Sequence, residues 1–128
     1  MKLQQISIFM ENKPGMLLEI TKFIASSNVN MRSVSVADTE TFGIVRIIVD
    51  DPGLVNDMLE KEGYTTKITQ VLAIEIPDQP GKFSELLEIL AKANVNIEYS
   101  YAFTSTKGKA MIILRVDDVD KAEKLLNL

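Results

Sequence analysis

Hydrophobic residues near the start of the chain follow two different periods. Ile6, Ile8 and Met10 occupy alternate positions, as in a β-strand with one buried face. After a polar break at residues 11–15, apolar side chains at residues 16–24 recur at helical spacing. The pattern therefore predicts a strand, a turn and an amphipathic helix.

Four further elements complete this part of the chain. Residues 31–36 and 42–49 are strand-like runs joined by a hairpin-length linker, and Asp-Asp-Pro-Gly at residues 50–53 opens a second helix. Residues 65–70 form a last strand. The order β-α-β-β-α-β, with right-handed crossovers, predicts an α+β, ferredoxin-like unit whose antiparallel sheet carries both helices on one face.

The rest of the chain repeats this organisation. The Pro-Gly pair at residues 14–15 recurs at 80–81, and Asn-Val-Asn at residues 28–30 recurs at 94–96, so both motifs return after the same 66 residues. A fixed offset between two different motifs indicates two copies of one structural unit. We therefore expect two ferredoxin-like units in this chain.

The two expected units, residues 1–70 and 71–128, follow each other without a linker. Residues 64–76 contain no Gly, Pro, Asn or Asp, so the last strand of the first copy is expected to run into the first strand of the second. The second copy is expected to end with a helix at residues 118–126 and to lack its closing strand. Because a bare sheet edge invites association, we expect a strand from a partner chain, or from residues outside this sequence, to cover it.

Composition removes several classes of function. The 128 residues include no Cys or His, which excludes thiolate nucleophiles, Ser-His-Asp triads, His or Cys metal sites and disulfides. The chain has 14 basic and 18 acidic side chains, a net charge of −4 that argues against nucleic acid as a partner. No apolar run approaches the ~20 residues that span a bilayer, and the first residues lack the core of a signal peptide. We expect a cytoplasmic protein with no membrane partner.

Each Pro-Gly turn lies between the first strand and the first helix of its copy, at a position where a ligand can be bound. A helix N-terminus leaves N–H groups unpaired and attracts carboxylates. Glycine at 15 and 81 removes the side chain that would hold a ligand away from the backbone. Asn12 and Asp78 precede the prolines by two residues, and each either caps its helix or accepts a hydrogen bond from a ligand ammonium. The pattern is consistent with an amino-acid binding site, and it is equally consistent with a turn that has only a structural role.

The order of these motifs resembles the signature of ACT domains, in which a polar residue and Pro-Gly precede a helix and an Asn-containing turn enters the next strand. Residues 12–17 with 28–30 carry the pattern once, and residues 78–83 with 94–97 carry it again. The resemblance covers nearly the whole chain and implies a stand-alone tandem ACT protein. ACT domains are small ferredoxin-like regulatory domains that bind amino acids at interfaces between two units. The resemblance therefore implies a regulatory sensor of a free amino acid, without catalysis or cofactor, that forms a homodimer and acts on a regulated enzyme.

Carried over by position, the resemblance implies ligand contacts from both loops and from the strands that follow the first helices. The candidate binding residues are Asn12, Gly15, Met16, Leu17, Asn30, Asp78, Gly81, Lys82, Phe83 and Asn96. Asn28 and Asn94 stand where many family members have Gly, and Asn tolerates the left-handed backbone expected there. Asp78 carries a charge that Asn12 lacks, and Lys82 is available for a ligand carboxylate, so we expect the stronger site at the second loop.

Two other features have structural interpretations. Tyr99, Tyr101 and Phe103 alternate along one strand and are expected to face away from the helices, as an interface with another domain or subunit. An RNA base-stacking platform is the alternative, which the acidic charge disfavours. The acidic pairs at 50–51 and 117–118 are expected to start helices rather than to bind metal, which needs more converging oxygens.

Two alternative functions remain open from the residues alone. One is an acylphosphatase-like hydrolase, which would use the same strand-to-helix loop, although residues 11–15 and 77–81 contain no Arg for a phosphate. The other is a protein-protein assembly module that uses the aromatic sheet face.

Overall fold

The computed structural model describes residues 1–128, the side chain of Thr104 excepted. Within these residues the chain alternates strands and helices in the predicted order. The elements are β1 (Lys2–Glu11), α1 (Met16–Ala25), β2 (Met31–Asp38), β3 (Phe42–Val49), α2 (Pro52–Lys61), β4 (Thr65–Pro77), α3 (Lys82–Lys92), β5 (Ile97–Thr104), β6 (Lys109–Val116) and α4 (Val119–Leu125).

The chain divides into two ferredoxin-like units. The first unit is Gln4–Thr69, and the second unit combines Met1–Leu3 with Gln70–Leu128. Strand β4 is 13 residues long and passes from the first unit into the second without a break, which confirms the prediction that no linker separates them.

The first unit has the strand order β2-β3-β1-β4. In the antiparallel ladder between β1 and β3, Ile6 lies opposite Ile47 and Ile8 lies opposite Val45. All four side chains are fully buried against the helices, and burial of such a side chain stabilises a fold by roughly 1.5–3 kcal/mol. The same core includes Ile20, Ile24, Val49, Val55 and Leu59.

The second unit repeats the arrangement with the strand order β1-β4-β6-β5. Leu72 lies opposite Leu114 and Ile74 lies opposite Ile112 across the β4 and β6 ladder. These side chains form one face of the sheet, and both helices of the unit pack on it. The core is completed by Leu86, Leu90, Val95, Val116 and Ala122.

The N-terminus of the same chain supplies the edge of the second unit. The Met1 carbonyl accepts a hydrogen bond from the Ala73 N–H at 2.8 Å, and the Met1 ammonium donates to the Ala73 carbonyl at 3.1 Å. Among the described residues no strand follows α4, as predicted. At Ala73 the edge is therefore covered by the first residues of the same chain, where a strand from a partner chain or from outside residues was expected.

An ion pair fixes this N-terminal segment to the last helix. The Lys2 ammonium lies 2.8 Å from the Asp120 carboxylate and 3.4 Å from that of Glu123, both on α4. The hydrogen bond from Lys2 holds the pKa of the Asp120 carboxyl below its ordinary value. Residues 1–3 therefore contact both the sheet and a helix of the second unit.

Asparagine ends the first helix of each unit in a left-handed conformation. Asn28 has φ +58° and Asn94 has φ +59°, as predicted from the tolerance of Asn for this region. These residues turn the chain toward the next strand, a position that glycine usually takes.

The second helix of each unit begins at a capping aspartate, as predicted. The Asp51 carboxylate accepts a hydrogen bond from the Leu54 N–H at 3.2 Å. Asp118 accepts one from the Lys121 N–H at 3.0 Å. Each carboxylate pairs with an otherwise unpaired helix amide, as expected for the residue that starts a helix.

In the part of the chain that the structure describes, no helix has the length and apolar character needed to cross a membrane.

Candidate functional site

The strand-to-helix loop of each unit ends at a glycine that starts the helix. Gly15 precedes α1 with φ +88°, and Gly81 precedes α3 with φ +85°. A side chain at this left-handed position would be strained, so the fold requires glycine there. A Cβ atom at either glycine would meet no atom within 4 Å, so the space above both turns is open.

No side chain caps either of these helices. The interpretation of Asn12 and Asp78 as ordinary helix caps is therefore wrong, because glycine occupies both capping positions. The first N–H group of each helix, that of Met16 or Lys82, donates to the Lys13 or Gln79 carbonyl at 3.4 or 3.3 Å, and the amides of the next two residues have no partner within their helix. This is the arrangement that favours a carboxylate or another anion.

The two polar residues that precede the prolines have different surroundings. The Asn12 side-chain amide donates a hydrogen bond to the Thr39 carbonyl at 3.2 Å and so ties its loop to the β2–β3 hairpin. Asp78 is held only through its backbone, where its N–H donates to the Gly108 carbonyl at 2.9 Å. Among the side chains that the structure describes, the exposed Asp78 carboxylate has no hydrogen-bond or ion-pair partner. It is available to a ligand ammonium.

An open cavity of about 390 Å³ lies beside Asp78 in the second unit. This volume falls within the range of about 300–1,000 Å³ found for small-molecule sites. The residues that line it come from the end of β4, the loop, α3, β5 and β6. They are Ile76, Pro77, Asp78, Gln79, Phe83, Ser100, Tyr101, Ala102, Ala110 and Ile112.

Two small residues of β5 form the cavity wall on the helix face of the sheet. Ser100 lies opposite Leu114, and Ala102 lies opposite Ile112. Because Leu114 and Ile112 belong to the core beneath the helices, Ser100 and Ala102 share that face. Their small side chains leave the space between β5 and the start of α3 unfilled.

The first unit has larger residues at the same ladder positions. Val34 lies opposite Ile47, and Val36 lies opposite Val45, both on the helix face. However, the two valines are 48% and 47% exposed, because β2 is an edge strand that the helices do not cover. The two units thus differ in side-chain volume at the wall where the second unit has its cavity.

Of the other residues predicted to bind ligand in the second unit, only Phe83, the second residue of α3, lines the cavity. The Lys82 ammonium lies 3.2 Å from the Glu85 carboxylate, so its charge is paired within its own helix. Asn96 does not line the cavity, and its backbone exchanges hydrogen bonds of 3.0 and 3.1 Å with Asp117.

The first loop carries the remaining predicted residues. Met16 is the half-buried first residue of α1, Leu17 is 37% exposed, and Asn30 is exposed just before β2. These residues therefore remain accessible, together with Gly15 at the start of the helix.

The sequence reading missed Gln79, Ser100 and Ala102. The signal for Ser100 and Ala102 was present as a difference between the copies, since valine in one copy corresponds to serine or alanine in the other. The strand register confirms that both positions face the helices and shows which core residues they lie opposite.

The aromatic residues of β5 lie on the opposite face of the sheet. Tyr101 pairs with Ile113 and Phe103 pairs with Met111, neither of which belongs to the core under the helices. This confirms that the stripe faces away from the helices. Tyr99, Tyr101 and Phe103 are all half-buried.

A carboxylate next to the loop fixes the β5–β6 hairpin. The Ser105 hydroxyl donates to Glu75 at 2.8 Å, and the Lys109 ammonium lies 3.3 Å from the same carboxylate. These two contacts, the serine hydrogen bond first, hold the pKa of the Glu75 carboxyl below its ordinary value. The hairpin that carries Ala102 and Ala110 is thereby attached to the strand that leads into the loop.

The sequence model of one family, described as an ACT domain pair, matches residues 1–128. Protein BT0572 from Bacteroides thetaiotaomicron is 35% identical, with 99% of this chain and 88% of that chain covered and a TM-score of 0.94. A search among proteins of curated function found no match.

Two more distant structures share the fold. The regulatory subunit of aspartate kinase from Thermus thermophilus, in a ligand-free form, is 13% identical and has a TM-score of 0.73. The match covers 97% of this chain and 90% of that chain. The regulatory subunit of aspartate kinase from Thermus flavus is 14% identical and has a TM-score of 0.68, and the match covers 97% of this chain and 88% of that chain.

Proposed function

The chain belongs to the ACT domain family, as a pair of such domains, and on that premise we propose that it is a regulatory protein that binds a free amino acid at the loop of its second unit. The observation that carries the proposal is the cavity beside Asp78. There, an unpaired carboxylate, an uncapped helix N-terminus and an open apolar cavity lie at one loop.

Each of these three features matches one part of an α-amino acid. The Asp78 carboxylate would accept hydrogen bonds from the ligand ammonium, and charge-assisted bonds of this kind are stronger than neutral ones. The first-turn amides of α3 would receive the ligand carboxylate, helped by the partial positive charge of the helix N-terminus. The ligand side chain would enter the cavity. Binding needs no bond to be broken, so the ligand is released unchanged.

The proposed output passes through another protein. Two structures with this fold are regulatory subunits of aspartate kinase, which supports control of an enzyme by a separate regulatory chain. We propose that the protein acts as a homodimer, with a second copy covering the open side of the cavity, and that ligand occupancy changes its affinity for a regulated enzyme. The resemblance to ACT domains, which bind ligands at interfaces between units, supports this arrangement.

A hydrolase of the acylphosphatase type has less support. The loop at the cavity presents the negative charge of Asp78, which would repel a phosphate, and the lining residues include no Arg. An assembly module that uses the half-buried stripe of β5 would leave the cavity without a role.

A thermal-shift screen against the standard amino acids tests the proposal. A ligand that binds only the folded chain stabilises it by about 2.7 kcal/mol at a concentration of 100 Kd, which gives a measurable rise in Tm. If no amino acid raises Tm at millimolar concentration, the proposed function is wrong and the assembly module is favoured.

Calorimetry on two variants then locates the site. Asp78→Asn removes the charge and keeps the shape, so it should weaken binding by about 1.5–3 kcal/mol, or roughly tenfold to a hundredfold in Kd. Asn12→Ala changes the corresponding residue of the first loop and should weaken binding less than Asp78→Asn. Equal losses from both variants would contradict the assignment of the stronger site to the second loop.

A further inference from the structure

The lining of the cavity separates polar from apolar groups. Polar side chains among the lining residues are those of Asp78 and Gln79 in the loop, Ser100 and Tyr101, of which Tyr101 belongs to the opposite face of the sheet, and the other lining residues are apolar. The lining residues include no Lys or Arg, and the nearby Lys82 is already paired with Glu85. An acidic ligand side chain would therefore lie in the cavity without a partner, which is costly for a charge removed from water.

A basic ligand side chain is also poorly matched to this site. The single carboxylate in the lining, Asp78, would be used by the α-ammonium of the ligand. A second cation on the ligand would then lie among Ile76, Phe83 and Ile112 without a counter-charge. An uncharged, apolar side chain meets no such penalty.

The size of the cavity is set by β5. Ser100 and Ala102 stand where the first unit has Val34 and Val36, at equivalent positions of the same ladder. A valine at either position would place two more carbon atoms at the cavity wall. Because the first unit folds with both valines, such a substitution is compatible with this architecture.

We propose that the cavity of the second unit receives an amino acid with an apolar side chain, and that Ser100 and Ala102 determine how large that side chain is. This inference rests on the proposed function and names its ligand class. The affinity should rise with the length of the apolar side chain, by roughly fourfold for each additional buried methylene group. Leucine should bind more tightly than alanine, and both more tightly than aspartate or lysine.

Isothermal titration calorimetry on the full chain tests both parts of the inference. Wild type is titrated with alanine, leucine, phenylalanine, aspartate and lysine. Ala102→Val should weaken leucine binding by tenfold or more and leave alanine binding within about threefold, because the loop contacts to the ammonium and carboxylate are unchanged. Val36→Ala is the matched control in the first unit and should leave every affinity unchanged.

Circular dichroism and thermal unfolding check that each variant is folded, and Ser100→Val replaces Ala102→Val if the latter does not fold. Tighter binding of aspartate or lysine than of leucine would overturn the ligand class and leave the proposed function intact. An equal effect of Ala102→Val on all ligands, or no effect, would overturn the role of β5. If no amino acid binds wild type, the proposed function itself fails, and this inference fails with it.

Sedimentation equilibrium of the same proteins tests the alternative that a second copy of the chain, rather than an amino acid, fills the cavity. The proposal predicts that Ala102→Val leaves self-association unchanged. If this variant weakens self-association and leaves leucine binding unchanged, a side chain of the second copy fills the cavity, and the proposal is wrong.

Discussion

Removal of the first three residues should selectively destabilise the second unit. The variant begins with a single Met directly before Gln4, so it lacks the segment that pairs with Ala73. Two hydrogen bonds are lost, from the Ala73 N–H to the Met1 carbonyl at 2.8 Å and from the Met1 ammonium to the Ala73 carbonyl at 3.1 Å. At about 1 kcal/mol for each bond, the expected loss in the free energy of unfolding is about 2 kcal/mol. A unit of this size has a stability of only about 3–9 kcal/mol, so the loss is large in proportion.

Hydrogen exchange detected by mass spectrometry, together with urea unfolding, measures this effect. Peptides from α3, β6 and α4 should exchange faster in the truncated chain, whereas peptides from α1 and α2 should change much less. Lys2→Ala is the control, because it removes the ion pair to Asp120 and Glu123 and keeps the backbone pairing. It should have a smaller effect than truncation, since exposed ion pairs contribute little.

The opposite result would refute the reasoning. If truncation leaves the protection of the Ala73 amide and the unfolding free energy unchanged, residues 1–3 do not hold this edge in solution. A concentration-dependent protection of the same amide would instead indicate a strand from a partner chain.

Two further predictions concern the loop and the response to acid. Gly81→Ala and Gly15→Ala should each lower the free energy of unfolding by about 1–2 kcal/mol in urea titrations, because both positions have positive φ. The space for a Cβ is open at both, so no steric clash adds to this loss. An unchanged free energy of unfolding would show that the left-handed turn is not kept. Glu75 and Asp120 have lowered pKa values, so their contribution to stability is present above the unfolded values of 4.5 and 3.8 and is lost as the pH falls through the folded values. Urea midpoints between pH 6 and 3 should therefore fall less steeply in Glu75→Gln than in wild type, and parallel curves would contradict the assignment.

Most of the fold could be predicted because its determinants are local in sequence. Alternation around Ile6 and Ile8, the helix-starting carboxylates at Asp51 and Asp118, and the left-handed Asn94 each follow from the conformational preferences of a few neighbouring residues. Repetition of these signals in two copies made the ferredoxin-like order evident.

The features that escaped prediction depend on contacts distant in sequence. Nothing in residues 1–3 indicates that their partner is Ala73, because a strand edge pairs through backbone groups that every residue has. The cavity wall depends on the register of β5 against β6, which shifts between Ile97 and Tyr99. Alternation with the aromatic residues predicts the face of Ser100 and Ala102, but their place opposite Leu114 and Ile112 follows only from that register.

The most direct test of amino-acid binding at the second loop is a titration of the ¹⁵N-labelled chain with leucine, followed amide by amide in NMR spectra. We predict saturable shifts that cluster at residues 78–83 and 100–102, with smaller changes or none at residues 12–17. Shifts confined to residues 12–17, or no shift at any amide up to millimolar leucine, would contradict the proposal.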